Sequence, residues 1–166
     1  MYNQTVYGSI GFATGSAVGA FVAGKELGLY KRNILVTGEG SLQLTVQAFA
    51  DLIRHELNPI VFLLNNGGYT IERLIHGRDA PYNTIPVWDY GALFQAFAPK
   101  HKTKHILVKT PEELDAVLND AEFAATTTPT VSTDCFAHGF VTGLQQDLRV
   151  ISSSRSSWTS MMLRNP

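Results

Sequence analysis

The sequence predicts an α/β fold, a parallel sheet flanked by helices on both faces, and three observations carry that prediction. Short apolar runs with strand character, Asn33 to Thr37 and Ile60 to Leu64, alternate with stretches of helical spacing. Each run ends in a polar, glycine-bearing turn, Gly38-Glu39-Gly40 and Asn65-Asn66-Gly67-Gly68. A third run, His105 to Lys109, continues the alternation, and strands separated by helices pair in parallel under helical layers.

The elements follow in chain order. Ile10 to Gly24 is apolar but rich in Gly and Ala, and it falls short of the roughly 20 residues of a membrane span. It reads as a buried helix. Gly11, Gly15 and Gly19, with Ala13, Ala17, Ala20 and Ala23 between them, line it with small side chains that permit close approach to a neighbour. After the first strand, Ser41 stands where an N-cap is wanted, and Leu42, Val46, Phe49, Leu52 and Ile53 keep helical spacing until Asn58-Pro59 ends the helix. Asp89 to Ala98 suits another helix, and Pro111 to Phe123 a last one with proline in its first turn.

Bulk properties bound the function. The 166 residues, 45% hydrophobic, are enough for one domain with a core. Thirteen basic against fourteen acidic residues, without a basic stripe, argue against nucleic-acid binding. The single cysteine cannot form an internal disulfide, and no signal-like N-terminus is present, so a cytoplasmic protein that does not bind membranes is expected. His55, His76, His101, His105 and His138 lack metal-ligand spacing; His76, close after Glu72, is the one worth watching. A dinucleotide site needs a third glycine where Gln43 stands, and a P-loop needs Ser or Thr where Glu26 follows Gly24-Lys25.

In parallel α/β folds ligands collect at the carboxyl ends of the strands, where both polar turns lie. A carboxylate, an amide oxygen and a backbone carbonyl are hard ligands suited to Mg²⁺, which commonly completes its shell with phosphate oxygens and water. Glycines and a helix N-terminus favour an anion, so a diphosphate bridged by Mg²⁺ is the natural occupant.

Gly38-Glu39-Gly40, then 24 residues from Ser41 to Leu64, then Asn65-Asn66 resembles the Gly-Asp-Gly-Ser to Asn-Asn signature of thiamine-diphosphate enzymes. GSIG from Gly8, GSLQLTVQ from Gly40 and NNGGYTIERLIHG from Asn65 are similar to the cofactor domain of the fungal-type pyruvate decarboxylase and 2-oxo-acid decarboxylase family, over about Tyr2 to Phe123. The resemblance implies a thiamine-diphosphate-binding fold of the pyrophosphate-binding type. Its metal would be held by the side chains of Glu39 and Asn66 and the carbonyl of Gly68. Gly40, Ser41 and Ile71 would face the diphosphate, Ile10 would prop the cofactor in its bent form, and the Gly8 carbonyl would accept from the aminopyrimidine. Glu72 would handle protons beside the reactive carbon, its pKa raised by burial in a partly apolar cleft. The implied enzyme is a homodimer or tetramer that decarboxylates a 2-oxo acid, pyruvate first among them, to an aldehyde and CO₂. The Tyr69 to Gly77 stretch favours this branch over an acetolactate-synthase-like enzyme.

The chain departs from the family in three places. Glu39 replaces Asp, adding a methylene to a ligand of a metal that tolerates little distortion, which predicts weaker metal and cofactor binding. The resemblance implies a separate pyrimidine-binding domain that these 166 residues are not expected to contain, so an isolated, inactive fragment, or one that associates with full-length subunits, is the alternative reading. The family domain is placed at residues 1–130, and 131–166 are read as a disordered, Ser-rich tail. Ser153 to Arg164 can be encoded so that the frame one base earlier reads QLEVVMDIDDAP, similar to the missing family ending, and Val131-Ser132 can be GTA AGT, the start of an intron. The hypothesis is a translated intron followed by an out-of-frame exon, with the sheet losing a strand; genomic codons incompatible with the shifted frame would end it.

Overall fold

A computed structural model of the chain describes residues 3–4, 6–29, 32–100, 103–125 and 130–133. Four parallel strands, β1 (Ile34–Gly38), β2 (Ile60–Leu64), β3 (Lys104–Leu107) and β4 (Thr130–Thr133), form one sheet in the order β1-β2-β4-β3. The helices are α1 (Phe12–Glu26), α2 (Glu39–Leu44), α3 (Ala48–Arg54), α4 (Thr70–His76), α5 (Tyr90–Phe97), α6 (Pro111–Asn119) and α7 (Ala121–Ala125), with one 3₁₀ turn at Pro81–Asn83.

The register sets the layers. Leu35 and Thr37 of β1 stand opposite Val61 and Leu63 of β2, so all four point to one face, and all four are buried. There they meet Ala17 of α1, Leu42 of α2, Phe49 and Leu52 of α3, and Tyr90 and Phe94 of α5. The Phe49 and Phe94 rings are tilted against each other at 4.3 Å. Each fully buried leucine here contributes about 1.5–3 kcal/mol over leaving it in water. Between β3 and β4 the chain reverses its direction across the sheet, and the right-handed rule for parallel crossovers assigns α6 and α7 to the opposite face. Helices therefore cover both faces, as predicted. Coverage is uneven: Val36, on that second face of edge strand β1, stays 56% exposed. Among the described residues, no helix is long and apolar enough to cross a membrane.

Local chemistry explains the helix ends. Asp89 caps α5 by accepting from the Ala92 N–H at 2.9 Å. Thr110 and Glu113 form a reciprocal capping box at the start of α6, with Pro111 at its first position.

Four expectations need correction. Ser41 is not an N-cap: α2 already begins at Glu39, with extended Gly38 before it, and the Ser41 hydroxyl instead accepts from the Gly11 N–H at 2.8 Å. The helix expected from Leu42 to Asn58 is broken after Leu44, where the Thr45 hydroxyl donates to the Gly11 carbonyl at 2.9 Å. The helix expected through Phe123 is broken at Asp120, whose carboxylate accepts from the Phe123 N–H at 2.6 Å. The sheet does not lose its last strand, because Thr130–Thr133 lies between β2 and β3 and bonds to both. Of the three glycines of the small-residue stripe, Gly11 alone is closely approached: a Cβ there would meet Thr45 Cγ2 at 2.9 Å, whereas Gly15 and Gly19 have open space, and Ala17 carries the contact with the core. The expected tail beyond Thr133, with Cys135 and His138, lies outside the described residues, as does His101.

Candidate functional site

The site begins with strand register. Gly38 and Leu64, the last residues of β1 and β2, are direct partners, so the chain leaves both strands side by side and the two polar turns are forced together. Glu39 starts α2 at this edge and is only 3% exposed. A charge so placed requires partners. Its Oε1 accepts from the Gly68 N–H at 2.7 Å, across 29 residues of sequence.

Asn66 closes the same cluster. Its carboxamide has one terminal atom 2.5 Å from the Gly68 carbonyl oxygen and 3.0 Å from Glu39 Oε1, and the other 2.9 Å from the Thr70 hydroxyl. Glu39, Asn66 and the Gly68 carbonyl, chosen from the sequence as a ligand set, are thus brought to one point. The geometry suits a small hard cation. At Mg–O distances of about 2.0–2.1 Å, neighbouring ligands of an octahedron stand about 2.9 Å apart, close to the 3.0 Å between Asn66 and Glu39. Among the described residues no group of three His, Cys, Asp or Glu could hold a metal; this site has one carboxylate, an amide and a carbonyl instead.

The turn is held by residues the sequence did not single out. Gly68 has φ +137°, and a Cβ there would collide with the backbone oxygen of Asn83 and lie 2.6 Å from the Arg73 guanidinium. That guanidinium donates to the Gly67 carbonyl at 2.7 Å, and the Tyr69 N–H donates to Asn83 O at 3.1 Å. The Tyr69 ring occupies the space a side chain at Gly40 would need, at 2.5 Å from that Cβ position, which locks the first turn to the second. Arg73 and Asn83 act on or through backbone groups, for which sequence carries no partner signal, and Thr70 acts through its hydroxyl on the Asn66 carboxamide. Only their proximity to Asn66 and Gly68 could have pointed to them.

Ser41 ties a third segment to the site. Because its oxygen accepts from Gly11, its own proton is free to be donated to an anion. Gly8 and Ile10 lie just upstream on this segment; Ile10 is 52% exposed, and Gly8 takes φ +67°. Among the described residues, the bonds from Gly11 to Ser41 and Thr45 tie this segment to α2, the helix that begins with Glu39.

The remaining predicted residues lie on α4, directly after Thr70. Ile71 is 63% exposed. The Glu72 side chain is 45% exposed and lies 3.4 Å from His76 Nε2, one helical turn on. The burial expected around Glu72 is not supplied by the described residues. Ile71, Leu74 and Ile75 form an exposed apolar stripe on the same helix. A small apolar cavity of about 20 Å³, lined by Phe49, Leu52, Val61 and Phe94 among others, lies in the core away from these residues.

Comparison with known proteins gives the family. Residues 1–132 match the family described as "Thiamine pyrophosphate enzyme, C-terminal TPP binding domain". Over 121 residues the chain is 50% identical to pyruvate decarboxylase isozyme 3 of Saccharomyces cerevisiae, covering 73% of this chain and 21% of that one. Over 123 residues it is 46% identical to pyruvate decarboxylase of Aspergillus fumigatus, covering 74% and 21%. The chain thus spans about a fifth of the length of these relatives. A thiamine diphosphate-dependent 4-hydroxybenzoylformate decarboxylase of Rhodococcus jostii RHA1 shares the fold, with a TM-score of 0.57 at 21% identity over 74% of this chain and 22% of that one.

Proposed function

The chain belongs to the thiamine pyrophosphate enzymes, as their C-terminal TPP binding domain, and from that premise we propose that it holds the diphosphate end of the cofactor through Mg²⁺ within a cytoplasmic 2-oxo-acid decarboxylase. Pyruvate is the proposed substrate, on the strength of the yeast and Aspergillus relatives. The complete enzyme is proposed to be a homodimer or tetramer.

The observation that carries this reading is the meeting of Glu39, Asn66 and the Gly68 carbonyl at one buried point. Glu39 supplies the negative charge and the other two supply neutral oxygens, leaving the rest of a six-oxygen shell for phosphate and water. Ser41 offers its hydroxyl proton to the diphosphate, and the Gly40 backbone lies beside it in the same turn. Ile10 would support the cofactor, the Gly8 carbonyl would accept from its aminopyrimidine, and Ile71 would border the diphosphate. When bound, thiamine diphosphate supplies the electron sink that allows CO₂ to leave a 2-oxo acid. Glu72 gives and takes the protons of that cycle, once another surface covers α4 and removes water from its carboxyl.

Calorimetric titration of the 166-residue chain with thiamine diphosphate and Mg²⁺ tests the reading. Saturable, Mg²⁺-dependent binding is expected, tightened in Glu39→Asp because the shorter ligand needs less distortion, and lost in Asn66→Ala. Absence of binding by both the parent and Glu39→Asp would overturn it.

A second reading, a non-catalytic fragment that associates with full-length decarboxylase subunits, is favoured by the exposed Ile71, Leu74 and Ile75 stripe. Co-purification with a complete subunit, weakened by Leu74→Glu but with cofactor binding intact, is its expected signature.

A further inference from the structure

We propose that the Asn66 carboxamide is a two-position switch at the cation site, with Thr70 as the positioning residue that follows it; the inference rests on the Mg²⁺ reading above. The inward atom of the carboxamide faces two acceptors, Glu39 Oε1 at 3.0 Å and the Gly68 carbonyl at 2.5 Å. With no cation between them, only the nitrogen satisfies both, by donating one N–H to each, while the Asn66 oxygen accepts from the Thr70 hydroxyl at 2.9 Å. With a cation, the same position must hold oxygen, since an amide nitrogen has no lone pair for a metal. The two states differ by a half-turn about the Cβ–Cγ bond, a soft torsion.

Thr70 is suited to both states because a hydroxyl donates or accepts. It donates to the Asn66 oxygen when nitrogen is inward, and accepts from the Asn66 nitrogen when oxygen is inward. Glu39 is common to both states: its Oε1 keeps the Gly68 N–H at 2.7 Å while its other contact changes from an N–H proton to the cation. Two internal hydrogen bonds are therefore exchanged for each cation bound. Mg²⁺ competes with the Asn66 nitrogen as well as with water.

Asn66→Asp separates this switch from a purely structural role, since it keeps shape but has no N–H to turn inward. Without cation, its carboxylate would face Glu39 and the Gly68 carbonyl unscreened, and Tm should fall by about 2–4 °C or more below the parent. Saturating Mg²⁺ with thiamine diphosphate should close that gap, and Mg²⁺ should bind at least about tenfold more tightly, as expected of a second carboxylate ligand. Thr70→Val should lower Tm with and without ligand, and Thr70→Ser should restore it. In the parent, the Asn66 side-chain ¹⁵N–¹H pair should move on titration with Mg²⁺ and thiamine diphosphate as its protons leave Glu39 and Gly68. An Asn66→Asp deficit unchanged by ligand, or Asn66 signals unmoved while calorimetry records binding, would overturn the switch and leave the Mg²⁺ reading standing. No binding by the parent or by Glu39→Asp would overturn both.

Discussion

Glu39 and Glu72 are both predicted to serve one cofactor, yet the chain treats them oppositely. Glu39 is 3% exposed and tied to the Gly68 amide and the Asn66 carboxamide; the Glu72 side chain is 45% exposed, with His76 of its own helix as partner. A buried carboxylate is tolerable only where its partners are fixed, and β1 and β2 fix them through the Gly38 to Leu64 register. Glu72 has no such frame, and its helix buries none of its residues. The proposed cation half of the site is thus framed within this chain, while the proposed proton-handling half depends on whatever covers α4.

Glu39→Ala should have the largest effect, because it strips a partner from the Gly68 N–H and from Asn66 in a buried place. A loss of about 3 kcal/mol is expected, read by urea unfolding, together with loss of Mg²⁺-dependent thiamine diphosphate binding. Retained stability would mean that the cluster is not the internal frame described above. Gly68→Ala comes next. It forces a side chain against Asn83 O and the Arg73 guanidinium at φ +137°, and a cost of about 2 kcal/mol follows from strain of this kind. Gly28→Ala, also at positive φ (63°) but with open space around it, should cost about 1 kcal/mol. Equal costs would remove the packing contribution from the account of the turn.

The internal half was also the half more legible in sequence. Ile60 to Leu64 reads as a strand because a continuous apolar run is bounded by Pro59 and Asn65, and these are its observed limits. The turns that carry Glu39 and Asn66 could be grouped because strand ends in a parallel sheet share an edge, and the family resemblance added the Gly68 carbonyl. What sequence could not show were side chains committed to distant backbone. Ser41 looks like a cap until Gly11, 30 residues away, claims its oxygen, and the break at Thr45 has the same origin. Thr70 and Arg73 serve a carboxamide and a carbonyl that no pattern marks. β4 was missed because Thr130-Val131-Ser132-Thr133 is mostly polar; it is a strand through pairing on both sides, not through propensity.

A control far from both acids sharpens the comparison. Thr110→Ala removes one side of the α6 capping box, and about 1 kcal/mol should be lost, equally with and without thiamine diphosphate and Mg²⁺. A ligand-dependent loss would mean that stability is shared across the sheet, and the Glu39 result could then not be assigned to its own turn. The Glu112 carboxyl beside it is held below its usual range by its own backbone N–H and the Thr110 hydroxyl. With the folded value depressed, its stabilisation is present above the unfolded pKa and lost as pH falls through the folded one. In Thr110→Ala this acid-side dependence should shrink.

The smallest expected effect carries the sharpest test of the asymmetry. Glu72→Gln keeps the shape of α4 and removes one member of an exposed pair, so stability should change by no more than about 0.5 kcal/mol. Cofactor and Mg²⁺ affinity of the 166-residue chain should stay within about twofold, since no contact joins Glu72 to Glu39, Asn66 or Gly68. Once α4 is covered in a complete enzyme, the same substitution should leave cofactor binding alone and reduce decarboxylation by about 10²–10⁴-fold, the range for a lost general acid–base. If Glu72→Gln instead weakened cofactor binding by the chain alone, the two acids would share one site already, and the division between an internal cation half and an externally completed proton half would fail.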